Sequence, residues 1–236
     1  MCGRYVQVSS AALLAERFHV DEVAVPERVD ADYNVAPRQP VLSVVQRTPQ
    51  ARVLEEMRWG LIPSWAKDAK IGDRLINARA ESLAEKPAFR QAFRHKRCIL
   101  PADGFYEWQV VSGRKQKQPM FIHGRDGEPL AFAALWEAWR DRDDPDAPWI
   151  RSCVIVTTRA NATMAPVHDR MPVILPESAW DTWLDPAVDD PALLTGLLVP
   201  AADEVIEMWP VSTRVNSVRN NGPELVVRQD PDAPVS

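Results

Sequence analysis

The sequence predicts an α+β fold in which a barrel-like, mostly antiparallel β-sheet carries flanking helices. Apolar stretches of strand length dominate the chain, and helical patterns occur between them only occasionally, without the regular alternation of a doubly wound parallel sheet. No internal repeat or low-complexity linker divides the 236 residues, and β-rich folds of this length are often single domains. We therefore expect one domain over residues 1–228 and a frayed tail over residues 229–236.

Each element follows from a local pattern. A short strand around Val6 precedes the capped helical segment SSAALLAERFHV, and two further strands, PVLSVVQ and ARVLEEMRWG, are joined by a turn around Pro49. A short basic helix, AFRQAFRHKR, leads into five predicted strands: RCILP, GFYEWQVV, QPMFIHG, PLAFAALWEAW and WIRSCVIVTT. Helical spacing returns in PESAWDTWL and PALLTGLLV, before a last strand, EVIEMWPV.

Composition excludes several classes of protein. The three cysteines include no C-x-x-C pair, which argues against a disulfide framework or a zinc site, and no feature requires a metal or an organic cofactor. No run approaches the ~18 apolar residues of a membrane span, and the N-terminus lacks a basic region followed by an apolar core. We therefore expect a cytoplasmic protein without a membrane partner, and a monomer.

The charge is unevenly distributed. The formal net charge is −5, yet residues 47–97 contain twelve Lys and Arg against six Asp and Glu. A polarised protein of this kind can offer one basic groove to a phosphate backbone although its overall charge is negative.

The opening residues, MCGRYVQV, place a cysteine directly after Met1. The simple interpretation of Cys2 is a small residue at the start of a strand. If Met1 is removed, Cys2 instead carries an α-amine and a thiol on adjacent carbons, with reference pKa values of about 7.7–8.0 and about 8.5. This pair suits attack on acyl groups, with the amine as base, or capture of an aldehyde as a five-membered thiazolidine.

Two further stretches carry candidate polar residues. In LINARAES, Asn77 and Arg79 share a face if the segment is extended, whereas Asn77 is an N-cap if a helix begins there. In DGFYEWQV, Phe105 and Glu107 face one side of a predicted strand, and Tyr106 and Trp108 face the other. A buried Glu107 would suit proton transfer, and the alternative is an exposed position on an edge strand.

Histidine and tryptophan residues raise similar alternatives. The stretch MAPVHDRMPVIL carries His168 and Arg170 before an apolar strand, and a solitary histidine is more often structural than catalytic. We expect Asp169 to add little, because adjacent strand residues point to opposite faces. In MRWGLIPSWAKDAK, Trp59 and Trp65 are candidate platforms for single-stranded nucleic acid, although core packing explains most of the nine tryptophans.

Taken in order, eight stretches resemble the SOS response-associated peptidase (SRAP) family. They run from residue 2 to about residue 225 and are MCGRY, YNVAP, RWGLIPSW, INARAE, ADGFYEW, VIVTT, HDRMPVIL and VSTRVN…NNGPEL. The resemblance implies a single α+β domain on a barrel-like antiparallel sheet. It also implies recognition of abasic sites in single-stranded DNA, including junctions with duplex, and a covalent link through the N-terminal cysteine.

The same resemblance assigns roles to residues. Cys2 matches the linking residue, and Asn77, Glu107 and His168 match the polar residues of the NAR, F-Y-E-W and HDR motifs. Four residues match positions that contact DNA phosphates: Arg4, Arg79, Thr157 and Arg170. Pro37 and Trp65 match contacts near the flanking bases, although some relatives have two adjacent tryptophans where this chain has Trp65 and Ala66. That departure implies a weaker wedge at a duplex junction.

The chemistry of these residues gives a hypothesis for the reaction. His168 moves a proton at the sugar ring oxygen, Glu107 accepts a proton from the Cys2 ammonium, and Asn77 orients the amine or a sugar hydroxyl. The peptidase of the family name is interpreted as removal of Met1 from the protein's own chain, by itself or by a host aminopeptidase, and a lyase-like activity is a further expectation.

Two rival functions remain at the level of the sequence. An N-terminal-cysteine hydrolase of the glutamine amidotransferase kind also begins Met-Cys-Gly, but its downstream glutamine-pocket motifs are not found. A non-covalent single-strand binder would share the basic segment and the aromatic residues, with Cys2 incidental.

Overall fold

The computed structural model describes residues 2–26, 29–48 and 51–229. Strands and four short α-helices, α1–α4, make up one α+β domain, as predicted. The turn predicted at Pro49 lies outside the described residues, as does the predicted tail apart from Gln229. The strands are β1 (Tyr5–Gln7), β2 (Glu22–Ala24), β3 (Asp32–Val35), β4 (Pro40–Thr48), β5 (Ala51–Trp59), β6 (Asn77–Arg79), β7 (Arg97–Ala102), β8 (Gly104–Gln109), β9 (Gln118–Gly124), β10 (Leu130–Trp139), β11 (Ile150–Arg159), β12 (Arg170–Pro172) and β13 (Ile206–Pro210).

The first sheet has five strands in the order β13-β9-β8-β1-β3, and every pair in it is antiparallel. The short N-terminal strand β1 is therefore an interior strand, with Tyr5 opposite Val35 on one side and opposite Phe105 on the other. This position explains why all three residues of β1 are buried.

The second sheet closes into a ring. Its order is β12-β11-β10-β7-β4-β5-β2, β6 adds beside β11, and a parallel pairing of β11 with β5 joins Cys153 to Trp59. Strands β5, β4, β7, β10 and β11 thus form a closed circuit, and the antiparallel pairings outnumber the parallel ones. The predicted barrel-like, mostly antiparallel sheet is confirmed.

The alternation of side chains separates two hydrophobic clusters. On β8, Phe105 packs with Cys2 and Tyr5, whereas Tyr106 packs on the other face with Val6 and Phe121, as the period of two predicts. In the second sheet, one face packs against this same Cys2-containing cluster, and the other packs against the helices.

The four helices cover that second face. They are α1 (Ala11–Arg17), α2 (Arg90–His95), α3 (Trp180–Leu184) and α4 (Pro191–Gly196). Ser10 caps α1 and Asp190 caps α4 through side-chain oxygens that accept backbone N–H groups. Trp180 and Trp183 of α3 are buried in the helix-side core, and each contributes roughly 3–5 kcal/mol by comparison with truncation to alanine.

A buried arginine ties two helix ends to the sheet. The Arg97 guanidinium donates to the carbonyl groups of Phe93 and Trp183, at 2.9 and 2.6 Å. It also donates to a second carbonyl within α2 and to two carbonyls after α3. The carbonyl groups in the last turn of a helix have no donor within the helix, and buried carbonyls need one. Arg97 supplies these donors from its guanidinium group.

No helix among the described residues is long and apolar enough to cross a lipid bilayer.

Candidate active site

Cys2 lies immediately before β1 and is fully buried. Its backbone carbonyl accepts a hydrogen bond of 2.7 Å from Nδ2 of Asn77, and its Sγ lies 3.9 Å from the carbonyl oxygen of Arg4. Both the side chain and the backbone of Cys2 therefore have fixed contacts. A small residue that only began a strand would not require them.

Asn77 is held by the second sheet. It begins β6, which pairs in parallel with β11, so that Asn77 lies opposite Ile155. The indole N–H of Trp59 donates to the carbonyl of the preceding residue, Ile76, at 2.9 Å. The alternative that Asn77 caps a helix is wrong, because the segment is extended and the Asn77 side chain binds Cys2 instead. The Oδ1 of Asn77 is buried and has no hydrogen-bond partner among the described residues.

Glu107 is a buried carboxylate beside Cys2. It is 4% exposed and lies on β8, an interior strand, so the alternative of an exposed edge position is wrong. Burying an ionised carboxylate costs several kcal/mol of effective desolvation unless a charge or donors balance it.

Burial and the nearby Glu107 carboxylate together raise the pKa of the Cys2 thiol far above its ordinary value, with burial the larger cause. Both causes disfavour a thiolate. In this state of the chain the sulfur of Cys2 is therefore a protonated thiol.

His168 lies in the loop between β11 and β12, which packs on the same side of the molecule. Met164 and Val167 of this loop belong to the hydrophobic cluster that contains Cys2, and the Gln109 side chain at the end of β8 donates to Pro166 O at 3.3 Å. The loop is therefore attached to the strand that carries Glu107.

The expectation that Asp169 adds little is wrong. His168 precedes β12 and is not a strand residue, so the alternation rule does not apply to it. Nδ1 of His168 lies 2.8 Å from Oδ1 of Asp169 and accepts the backbone N–H of Arg170 at 2.9 Å. A neutral ring that accepts at Nδ1 carries its proton on Nε2, and a protonated ring can donate from Nδ1 to the carboxylate. His168 thus has a partner in either protonation state.

Two predicted phosphate contacts lie near the strand of Asn77. Arg79 is exposed and is two residues from Asn77 on β6. Arg170 is largely buried, and its guanidinium binds both carboxylate oxygens of Glu81, at 2.6 and 2.9 Å, and the carbonyl of Thr157 at 2.6 Å. These hydrogen bonds lower the pKa of the Glu81 carboxyl. Glu81, which the sequence analysis missed, therefore occupies guanidinium donors of Arg170, the residue predicted to contact a phosphate.

The other two predicted phosphate contacts have internal partners. The Thr157 side chain is fully buried and its hydroxyl lies 3.4 Å from Ala78 O. Arg4 donates to Oδ1 of Asn34 at 2.7 Å and to Val215 O at 2.9 Å. Burial lowers the pKa of Arg4 from its ordinary value. Both residues thus have internal hydrogen-bond partners, and their contacts with DNA phosphates stay predictions.

The two tryptophans predicted as aromatic platforms differ in their exposure. Trp59 is fully buried and is a core residue, whereas Trp65 is 53% exposed in the loop after β5. That loop starts at Gly60, whose φ of +124° and contact with the backbone of Gly72 leave no room for a side chain. Pro37 is half-buried in the turn between β3 and β4, which is attached to the end of β5 by the hydrogen bond from Arg38 N to Trp59 O.

The structure therefore brings Cys2, Asn77 and Glu107 together, with the His168 loop packed on the same cluster and Arg79 adjacent on β6. Among the described residues, no group of three or more His, Cys, Asp or Glu side chains is arranged to hold a metal ion.

The fold and site define an α+β protein in which a buried cysteine near the start of the chain is bound by an amide and lies beside a buried carboxylate where two sheets meet. The chain belongs to the SOS response associated peptidase (SRAP) family, whose sequence model matches residues 1–218. The family match sets aside the glutamine amidotransferase alternative.

Similar proteins share a common description. The chain is 44% identical over 226 residues to abasic site processing protein YoqW of Bacillus subtilis (strain 168), covering 96% of this chain and 99% of the relative. It is 33% identical over 233 residues to abasic site processing protein YedK of Escherichia coli (strain K12), covering 96% and 99%. It is 33% identical over 266 residues to abasic site processing protein HMCES of Gallus gallus, covering 96% and 77%.

Solved structures also resemble the fold. A protein from Bacteroides thetaiotaomicron matches with a TM-score of 0.85 at 26% identity, covering 97% of this chain and all of that one. A phage-related protein from Bordetella bronchiseptica matches with a TM-score of 0.67 at 30% identity, covering 89% and 94%.

The buried thiols predict a loss of stability in alkali. Burial raises the pKa of Cys153 to about 12 and that of Cys98 well above its ordinary value, so the unfolded chain loses these protons at lower pH than the folded chain. Stability is retained in full below pH ~8.5. Above it, the free energy of unfolding falls by up to about 1.4 kcal/mol per pH unit for each thiol.

Urea unfolding between pH 8.5 and 9.5 measures this slope, and Cys98→Ala should reduce it by about one thiol's share. Equal slopes in the two proteins would show that the Cys98 thiol ionises as readily in the folded chain as in the unfolded one.

Proposed function

We propose that this protein recognises abasic sites in single-stranded DNA and, once Met1 is removed, links to them covalently through Cys2, which shields the lesion. The observation that carries the proposal is the placement of Cys2, whose carbonyl is fixed by Asn77 and whose thiol lies beside the buried carboxylate of Glu107. The names of the relatives as abasic site processing proteins support the choice of substrate.

The chemistry is a condensation with an aldehyde. Opening of the deoxyribose ring exposes the aldehyde, and the α-amine of Cys2 adds to its carbon and expels water to give a Schiff base. The thiol then adds to the same carbon while its proton passes to the nitrogen, which closes a thiazolidine. Amine, thiol and aldehyde thus become one ring and one water molecule, with no oxidant or metal required.

Glu107 and Asn77 prepare the amine. An ammonium at Cys2 would balance the buried Glu107 carboxylate, and transfer of its proton to that carboxylate frees the amine lone pair for attack. The Asn77 side chain holds the Cys2 carbonyl through Nδ2, and its buried Oδ1 can accept from the amine or from a sugar hydroxyl. The amide thereby orients the nucleophile relative to the sugar.

His168 is suited to the ring-opening step. The Arg170 N–H directed at Nδ1 leaves the proton of a neutral imidazole on Nε2, where it can be given to the ring oxygen. Asp169 stabilises the protonated ring from the Nδ1 side. General acid–base assistance of this kind typically contributes about 10²–10⁴-fold to a rate.

The proposed link predicts a complex that resists denaturation. Processed protein mixed with an oligonucleotide that carries one abasic site should give a shifted band on a denaturing gel. Cys2→Ala, and a variant with two residues inserted between Met1 and Cys2, should each lose that band, because neither presents an amine and a thiol at one terminus.

A shifted band that survives in either variant would contradict the thiazolidine. A wild-type protein that binds the strand without any denaturant-resistant band would instead support the non-covalent binder. Intact mass spectrometry of the same sample reports directly whether Met1 has been removed.

The assignment of Glu107 and His168 to proton transfer predicts a kinetic defect without a binding defect. Glu107→Gln and His168→Ala should slow single-turnover linking by about 10²–10⁴-fold. Affinity for an oligonucleotide with a tetrahydrofuran in place of the abasic sugar, which has no aldehyde, should change little. His95→Ala, at an exposed histidine on α2, is the matched control and should behave as wild type. Equal losses of rate and affinity would indicate a structural role.

The pairing of Arg170 with Glu81 predicts that Glu81 competes with DNA phosphate. Glu81→Gln should tighten binding to the tetrahydrofuran oligonucleotide several-fold. It should also steepen the salt dependence by about 0.7, the increment for one additional single-strand phosphate contact.

Glu85→Gln makes the same change of charge at an exposed position four residues away and controls for the overall field. Weaker binding by Glu81→Gln would show that Glu81 instead holds Arg170 in position.

A further inference from the structure

A basic and aromatic surface lies beyond the candidate active site, at the N-terminal end of β11. We call it the basic trough and define it by its lining, which includes three cationic side chains and one indole: Ser64, Lys96, Ala138, Arg140, Arg142 and Trp149. No carboxylate belongs to this lining as far as the chain is described. We propose that the basic trough binds the single strand that flanks the abasic site, a proposal that rests on the DNA-binding function above and extends it.

The register of the sheet creates the central pair of the trough. The antiparallel pairing of β10 with β11 ends with Trp139 opposite Ile150, so Arg140 and Trp149 are the residues directly beyond this last pair. The Arg140 guanidinium lies 5.2 Å from the centre of the indole of Trp149. Trp149 is nevertheless 63% exposed, so its other surface is open to a ligand.

The charges of the trough are available to a phosphate. Lys96 is paired with Glu137 at 2.8 Å, but neither Arg140 nor Arg142 forms an ion pair with a carboxylate of the described residues. Exposed indoles combined with unpaired guanidinium groups are the arrangement that binds single strands, because bases stack on the ring and phosphates meet the cations.

The trough is continuous with Trp65. The Arg142 guanidinium donates to Ser64 O at 3.1 Å, which attaches the loop after β10 to the loop that carries Trp65. The adjoining hollow beside Trp65 is lined by Asp141 and Asp143 together with Lys67 and Arg142, so its formal charge is balanced. The lining of the trough is cationic, so a phosphate backbone is favoured there over the hollow.

The separation from Cys2 sets the length of DNA required. Asn77, which binds Cys2, pairs opposite Ile155, and Trp149 precedes Ile150 at the start of β11. The six residue steps from Trp149 to Ile155 span about 20 Å at about 3.3 Å each. A stacked strand advances about 3.4 Å per nucleotide, so the trough lies about six nucleotides from the lesion.

The test compares oligonucleotides that extend to different lengths on the two sides of the abasic-site analogue. The short probe carries one tetrahydrofuran site with two nucleotides on each side, and two long probes add eight nucleotides to the 5′ or to the 3′ side only. Wild-type protein should bind one of the long probes about tenfold more tightly than the short probe, since one stacked base is typically worth about that much. Extension on the other side should add far less.

The variants separate the trough from the site. Trp149→Ala and Arg140→Gln should lose most of the gain from extension while they keep the affinity for the short probe and the rate of linking to a short abasic strand. Trp149→Phe should retain most of the gain, because a ring that can stack remains. Arg125→Gln, in the turn between β9 and β10, makes the same change of charge as Arg140→Gln at an exposed position outside the trough and should match wild type.

Two outcomes would overturn the basic trough: no gain from either extension, or a gain that survives combination of Trp149→Ala with Arg140→Gln. Failure of the proposed function looks different, because it is the absence of any covalent product from wild-type protein and a short abasic strand.

Discussion

The hydrogen bond from Asn77 to the carbonyl of Cys2 joins the two sheets at the point where the chemistry is proposed. β1 belongs to the five-stranded sheet, and β6 belongs to the ring-forming sheet. The edge-to-face contact of Tyr5 with Trp59, at 5.4 Å between ring centres, strengthens the same junction, and Trp59 in turn holds the residue before Asn77. Neither sheet alone would build the site, because each contributes one side of Cys2.

Electrostatic pairing shows how the predicted cationic residues are used. Arg79 is exposed, whereas Arg170 binds Glu81 and Arg4 binds Asn34 and a backbone carbonyl. A buried guanidinium without partners would cost more free energy than it returned, so the fold supplies internal acceptors where solvent is excluded. Affinity for a polyanion then depends on which of these internal acceptors a phosphate can displace from the guanidinium group. An exposed carboxylate is displaced more readily than a buried amide.

Local patterns were sufficient for most strands, for the opposite faces of Phe105 and Tyr106, and for the fold class, because strand alternation and turn residues act over short distances. The site was harder to predict. The motif order gave Cys2, Asn77, Glu107 and His168 as candidates, but the burial of Thr157 and the bidentate pairing of Arg170 depend on strands that are distant in sequence. The contact between His168 and Asp169 was missed because a strand rule was applied to a loop residue. YNVAP contained a signal that was not used: Asn34 is buried and bonds to both Arg4 and the segment around Val215.

The interior position of β1 also has a consequence for biosynthesis. Its neighbour β8 is made roughly a hundred residues later, which takes about 5–20 s at ribosomal rates of about 5–20 residues per second. Until then β1 has no partner on the β8 side, and Cys2 cannot take its buried place in the cluster that includes Phe105. The start of the nascent chain therefore stays exposed for seconds after it is made, although the finished fold encloses it.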